Sequence, residues 1–139
     1  MPVIEVTALP QADAVDTSAA AAAVTRAVAR ELGEDPRGTW IVWRTIEAGA
    51  YAEGADAPAV QPAATHPPLV EVIAYEGRPA DVIERILVAV ADTLIGELRL
   101  DAGNVFVRWV EATPGRLYTG GRVVGAGEHA QPGESLLHE

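Results

Sequence analysis

The sequence predicts one α/β (α+β) domain built from two tandem β-α-β units, which form a four-stranded mixed sheet with both helices on one face. Residues 2–9, PVIEVTAL, align with residues 68–75, PLVEVIAY, at a shift of 66. Further along, residues 43–48, WRTIEA, align with residues 107–112, VRWVEA, at a shift of 64. A helical pattern of matching length lies between the two strands of each unit. At 139 residues the chain is long enough for one compact domain.

The first unit covers residues 2–48. It begins with a strand of alternating β-branched residues, which Pro10 closes. A helix over residues 16–32 follows, with Asp16 or Thr17 as its N-cap, because apolar side chains recur at four-residue spacing and a glycine stands just beyond. The helix leads into a second strand over residues 39–47.

The second unit covers residues 68–125, with a helix that opens near Pro79 and a final strand over residues 104–111. Residues 49–67, rich in Gly, Ala and Pro, are the linker, and residues 126–139 form a tail. Right-handed crossovers place both helices on one face of the sheet. The other face and the sheet edges need covering, so we expect an oligomer.

Composition removes many classes of function. The net charge of −10 argues against nucleic acid or an anionic membrane as a partner. All ten basic residues are arginine, which excludes Schiff-base chemistry through a lysine, and the absence of cysteine excludes a thiolate site. With no signal-peptide pattern and no apolar span, we expect a cytoplasmic protein.

The histidines do not suggest a metal site. His66, His129 and His138 lie in Pro- or Gly-rich stretches or in the tail, without the spacing of metal ligands. We expect each to be a solvated loop residue, and we expect no metal and no cofactor.

Pro2 is the candidate base. If Met1 is removed, Pro2 carries a free secondary amine at the start of a strand, where it has no ladder hydrogen bond to lose. Apolar walls lower the pKa of such an amine towards neutrality because desolvation disfavours its charged form. An amine of this kind is a usable general base.

Two motifs in the second unit carry a resemblance. Residues 71–81, EVIAYEGRPAD, hold a strand, an E-G-R turn and a helix start, and residues 104–121, NVFVRWVEATPGRLYTGG, hold a strand and a Gly-Gly hairpin. Together with Pro2 and the repeat, these motifs resemble those of the tautomerase superfamily. The second unit most resembles 4-oxalocrotonate tautomerase. The double-length chain is similar to the cis-3-chloroacrylic acid dehalogenases, malonate semialdehyde decarboxylase and macrophage migration inhibitory factor. The resemblance covers about residues 2–125.

The resemblance implies the main site residues. Pro2 falls at the position of the catalytic base, and Arg78 falls at that of an arginine that binds the substrate carboxylate. A guanidinium suits this role because it makes bidentate, charge-assisted bonds to a carboxylate. The alternative is that Arg78 forms an ion pair with Glu76 or Asp81.

Further positions imply substrate contacts. Arg108 falls on a strand position where relatives place substrate-facing side chains, and Tyr75 falls near the pocket entrance, where simple packing is equally expected. Leu117 stands at an aromatic pocket-wall position beside Tyr118, and Thr119 replaces the water-activating glutamate of the dehalogenases. Arg44 is the expected counterpart of Arg108 in the first unit, where a structural role at an oligomer contact is at least as plausible.

The resemblance implies a cofactor-free tautomerase that acts on a small 2-hydroxy-dienoate or enolpyruvate-like acid, assembled as a homotrimer. Pro2 would move the proton while Arg78 holds the carboxylate. One alternative is a decarboxylase, hydratase or dehalogenase of three-carbon acids, although Thr119 leaves the hydratase branch without an evident water-activating group. Another is a catalytically silent oligomeric member, since Pro2 is an amide wherever Met1 is retained.

Overall fold

The computed structural model describes residues 2–125, which form a four-stranded mixed sheet and a small two-stranded one. The strands and α-helices in chain order are β1 (Val3–Ala8), α1 (Thr17–Leu32), β2 (Trp40–Thr45), β3 (Leu69–Tyr75), α2 (Ala80–Leu98), β4 (Phe106–Ala112), β5 (Tyr118–Thr119) and β6 (Arg122–Val123), and a 3-10 turn over Pro36–Gly38 precedes β2. Met1 and the predicted tail, with His129 and His138, lie outside the described residues. No helix within 2–125 has the length and apolar character needed to cross a membrane.

The four long strands are ordered β2-β1-β3-β4. The central pair, β1 and β3, is antiparallel, and each of these strands has a parallel partner on its outer side. Parallel neighbours need a crossover, and α1 and α2 provide the two crossovers. The predicted fold class is therefore confirmed.

The core lies between one face of the sheet and both helices. Alternate strand residues point into it and are fully buried, as are the apolar stripes of the helices: Ile4, Val6, Val70, Val72, Val24, Val28, Ile86, Val90 and Leu94. Full burial of one such side chain stabilises the fold by about 1.5–3 kcal/mol. The other face of the sheet carries no helix.

Both ends of helix α1 are capped as the sequence predicts. The Asp16 carboxylate accepts a hydrogen bond from the Ala19 N–H at 3.1 Å, which makes Asp16 the N-cap. Gly33 adopts a left-handed conformation with φ of 68° and closes the helix. These caps fix where the chain leaves α1 and heads towards β2.

The strand register corrects one sequence alignment. Trp40 opens β2 and Phe106 opens β4, and each pairs with the first residue of its neighbouring inner strand. The strands of the two units therefore correspond at a shift of 66, because 66 residues separate these two positions. The counterpart of Arg108 is Val42, and the expectation of Arg44 was wrong by two residues. Because residues two apart on a strand lie on the same face of the sheet, Arg44 still shares the face of Val42 and Arg108.

The linker buries His66, so the expectation of a solvated loop residue was wrong. The His66 ring is fully buried, and its Nε2 lies 2.8 Å from the carbonyl oxygen of Asp56. A carbonyl only accepts, so Nε2 carries the proton. Nδ1 lies 2.9 Å from Thr65 Oγ1, and the Tyr51 ring packs edge-on at 5.1 Å.

Candidate active site

The start of β1 lies beside the end of β3 and the start of β2. Because β1 and β3 are antiparallel, with Val3 opposite Ile73, Pro2 lies beside the end of β3 at Tyr75. The Trp40 N–H donates to the Pro2 carbonyl at 3.0 Å and brings in the start of β2. The Pro2 ring is fully buried.

Arg78 occupies the turn between β3 and α2 and is half-buried. Its Nη1 donates to the Tyr75 carbonyl at 3.5 Å, whereas its Nε is buried and bonds to no described residue. Burial lowers the pKa of Arg78 from its ordinary value, and the negative charge of Glu34, followed by that of Tyr75 when its hydroxyl is ionised, opposes this effect. The Asp81 carboxylate instead bonds to Arg85 at 3.0 Å, which argues against an Asp81 pair for Arg78.

Tyr75 is only 3% exposed, and its hydroxyl bonds to no described residue. Burial raises the pKa of Tyr75 above its ordinary value of 10.0. Arg122 and then Arg78 lower this pKa, and Glu34 raises it further. The net upward shift keeps Tyr75 a neutral hydrogen-bond donor at physiological pH.

Two residues of this end were missed in the sequence. Glu34 follows Gly33, the C-cap of α1. Its side chain reaches Gly38, where Oε1 lies 3.8 Å from the point that a Cβ atom would occupy. Thr39, the next residue after Gly38, is 4% exposed. Glu34 Oε2 and Thr39 Oγ1 are both buried, and no described residue bonds to either.

Among residues 2–125, the buried side-chain polar atoms without a partner belong to Glu34, Thr39, Tyr75 and Arg78. They come from the segment between α1 and β2 and from the end of β3 with its turn, which both border the start of β1. An unsatisfied buried polar group costs about 1–3 kcal/mol, more when charged. Such groups are rare in folded proteins, and a cluster of them points to a ligand-binding site.

The β5–β6 hairpin begins near the same end. Ala112, the last residue of β4, lies opposite Tyr75, and its carbonyl accepts from the Glu76 N–H at 3.3 Å. Leu117 and Thr119 are half-buried, whereas Tyr118 is 69% exposed. On the second hairpin strand, Arg122 lies close enough to lower the pKa of Tyr75. The substrate contacts predicted for Leu117, Tyr118 and Thr119 stay predictions.

Arg108 lies elsewhere in the chain. On the helix-free face of the sheet, its Nε donates to Glu71 at 2.7 Å. Glu71 precedes Tyr75 by four residues of β3, or roughly 13 Å of strand. A depression of about 400 Å³ beside this pair is lined by Glu5, Thr7, Leu69, Val70, Glu71, Phe106 and Arg108. The chain therefore does not bring Arg108 together with Pro2 and Arg78.

No protein-family model matches the sequence, and no curated protein is significantly similar to it. Solved structures do match the fold. Pt0534 inactivated by 2-oxo-3-pentynoate is 15% identical with a TM-score of 0.76, over 88% of this chain and 94% of that one. Native fused 4-OT is 19% identical with a TM-score of 0.74, over 87% and 94%. N1, of the cis-3-chloroacrylic acid dehalogenase family, is 18% identical with a TM-score of 0.71, over 98% and 89%.

Fused 4-OT structures of the same fold are asymmetric and symmetric trimers. At these identities the similarities establish the fold. The chain therefore has the fold of 4-OT-like members of the tautomerase superfamily, and the resemblance found in its sequence is confirmed at that level.

Proposed function

We propose that this protein is a cofactor-free tautomerase that interconverts the enol and keto forms of a small 2-hydroxy-dienoate or enolpyruvate-like acid. The observation that carries the proposal is the position of Arg78, half-buried in the turn that follows the end of β3 beside the start of β1, with a buried Nε that bonds to no described residue. A half-buried cation with a spare buried donor favours a carboxylate ligand, and a proline at the strand start can supply the base.

In the proposed reaction the substrate carboxylate binds Arg78, and the amine of Pro2 takes the proton of the 2-hydroxyl. Electrons move from the oxygen into the conjugated system, and Pro2 returns the proton to carbon, so that the enol becomes a ketone without any other reactant. The neutral hydroxyl of Tyr75 donates to the oxygen as it becomes a carbonyl. A bond from Arg78 to the charged carboxylate contributes about 1.5–3 kcal/mol.

The proposed mechanism requires that Met1 be removed, because an amide nitrogen is not basic. Intact mass of the purified protein is therefore the first measurement, and only a protein that lacks Met1 enters the tests below.

We further propose a homotrimer. The helix-free sheet face exposes Trp40 by 51%, Phe106 by 52% and Leu69 by 39%. Apolar side chains grouped on one face favour coverage by another subunit. The trimers of fused 4-OT support this assembly. Arg108 lies on the same face, so in a trimer it can serve the site of a neighbouring subunit.

The proposed base is tested by covalent labelling with 2-oxo-3-pentynoate, the compound that inactivates Pt0534. Its electron-poor alkyne adds an amine, so the Pro2 peptide should gain the mass of one whole acid molecule. Arg78→Ala should slow this labelling by about 10- to 100-fold, as expected for the loss of a charged hydrogen bond. The exposed Arg116 provides the matched control, and Arg116→Ala should label at the wild-type rate.

Catalysis is tested with 2-hydroxy-2,4-pentadienoate by following its absorbance as it converts to the ketone. Arg78→Ala should lower kcat/KM by about 100-fold, the upper part of the range for such a bond. A protein without Met1 that neither labels at Pro2 nor ketonises this acid contradicts the proposal and favours the catalytically silent alternative.

Glu34 makes a hydratase the second candidate. Its buried carboxylate oxygen bonds to no described residue and can accept a proton from water, the role that Thr119 does not fill. Water added across the alkyne of 2-oxo-3-pentynoate gives 2,4-dioxopentanoate, whereas a proline nucleophile gives the protein adduct. Turnover to the dioxo acid without an adduct would favour the hydratase.

A further inference from the structure

Glu34 is unexpected in a site that binds an anion. A carboxylate close to Arg78 weakens the attraction of that arginine for a substrate carboxylate. Glu34 is nevertheless held in place, since its N–H donates to the Ala29 carbonyl at 2.9 Å behind the left-handed cap at Gly33. Its Oε2 is buried and bonds to no described residue.

The unpartnered atoms define what a ligand must provide. Arg78 Nε can only donate, so it requires an acceptor from the ligand. An ionised Glu34 can only accept, so Oε2 requires a donor. The hydroxyls of Thr39 and Tyr75 can do either. A ligand that satisfies both charged groups combines a carboxylate with a neutral donor.

We propose that Glu34 is a specificity-determining residue that accepts a hydrogen bond from the hydroxyl on the carbon next to the substrate carboxylate as the acid binds, before that hydroxyl turns its single proton towards Pro2. This inference rests on the proposed function in one respect, namely that Arg78 binds the carboxylate. The site then takes 2-hydroxy monocarboxylates, including the enol form of a 2-keto acid, and rejects dicarboxylates.

The proposed specificity depends on how Glu34 interacts with a hydroxyl, with a ketone oxygen and with a second carboxylate at the same position of the ligand. An enol hydroxyl donates to Glu34, whereas the ketone oxygen of the product can only accept, so Glu34 also favours release of the ketone. A second carboxylate in the same position would face Glu34 with like charge. The electrostatic effects of Glu34 on the pKa values of both Arg78 and Tyr75 agree with its proximity to this position.

Binding of three unreactive acids of similar size tests the proposal by isothermal titration calorimetry. Lactate carries the 2-hydroxyl, propionate lacks it, and malonate carries a second carboxylate. We expect the wild-type protein to bind lactate about tenfold more tightly than propionate, as one hydrogen bond to a charged group provides, and malonate more weakly than either.

Variants identify the residue responsible. Glu34→Ala should reduce the preference for lactate over propionate to about one, and Glu34→Gln, whose amide oxygen still accepts, should keep about threefold. Glu34→Gln should also tighten malonate binding about tenfold by removing the like charge. Glu31→Gln is the matched control, because Glu31 lies one helical turn away and pairs with Arg85 on the surface at 3.5 Å. It should leave all three affinities unchanged.

The outcomes separate this inference from the proposed function. If Arg78→Ala weakens propionate binding but Glu34→Ala leaves the lactate preference intact, the role of Glu34 is refuted and carboxylate binding by Arg78 stands. If the Glu34 variants change the preference as expected and the protein does not ketonise enols, the site is right and the tautomerase proposal fails. Malonate that binds equally to wild type and Glu34→Gln also overturns the inference.

Discussion

The Arg78 guanidinium donates to the backbone carbonyl of Tyr75 across the turn between β3 and α2, and each of these two residues keeps a buried side-chain polar atom that bonds to no described residue. Such atoms cost stability, because each has left water without gaining a protein partner. A ligand that bonds to them recovers that cost, so a role in binding explains why the arrangement is tolerated.

Tyr75→Phe should therefore separate stability from binding. Removing a buried hydroxyl without a partner should leave the free energy of unfolding unchanged or raise it by up to about 1 kcal/mol, while it weakens ketonisation. Urea unfolding and kcat/KM measure the two effects. Tyr51→Phe is the control, because the Tyr51 hydroxyl donates to the Pro67 carbonyl at 2.7 Å. Its loss should cost about 1 kcal/mol. An equal decrease in the free energy of unfolding of Tyr75→Phe and Tyr51→Phe would contradict the conclusion that the Tyr75 hydroxyl has no protein partner.

Alkaline pH should destabilise the protein partly through Tyr75. Burial raises its folded-state pKa above 10.0, so the unfolded chain loses the phenol proton first. The associated stability is fully present below the unfolded-state pKa and is lost as pH rises through the folded-state pKa. Melting temperatures above about pH 9 should fall less steeply in Tyr75→Phe than in the wild type. Tyr118→Phe, at a residue that is 69% exposed, should follow the wild-type curve.

His66→Ala should be strongly destabilising. The substitution leaves a cavity under the linker and removes the partner of the Asp56 carbonyl, so we expect a loss of about 3 kcal/mol. Val60→Ala, in the same linker at a residue that is 49% exposed, should change the free energy of unfolding by less than about 0.5 kcal/mol. Similar values for the two variants would mean that the buried ring does not stabilise the linker.

Phe106→Arg should disrupt the proposed trimer. A charge on the helix-free sheet face would have to be buried between subunits without a partner, so sedimentation velocity should detect a smaller species. Val88→Arg adds the same charge at a helix residue that is 51% exposed, and it should leave the sedimentation coefficient unchanged. A trimer that survives Phe106→Arg, or a wild-type protein that is monomeric, would refute assembly through this face.

Local pattern was sufficient to predict the fold. The repeat of residues 2–9 at 68–75 and the caps at Asp16 and Gly33 lie within short stretches of chain, where hydrophobic period and capping chemistry act directly. The position of Pro2 directly behind Met1 at a strand start made it the candidate base, whereas the role of Arg78 was implied by the resemblance of the E-G-R turn to the tautomerase superfamily.

The tertiary structure decided what depends on segments far apart in sequence. Backbone pairing of β2 with β1 set the register that makes Val42 the counterpart of Arg108. Folding of the linker buried His66. Glu34 lies close enough to Arg78 to affect its pKa because the chain between α1 and β2 borders the end of β3. The spacing of apolar residues in the sequence does not predict this proximity. The sequence by itself thus determined the elements and their order, and long-range packing decided which polar side chains share one site.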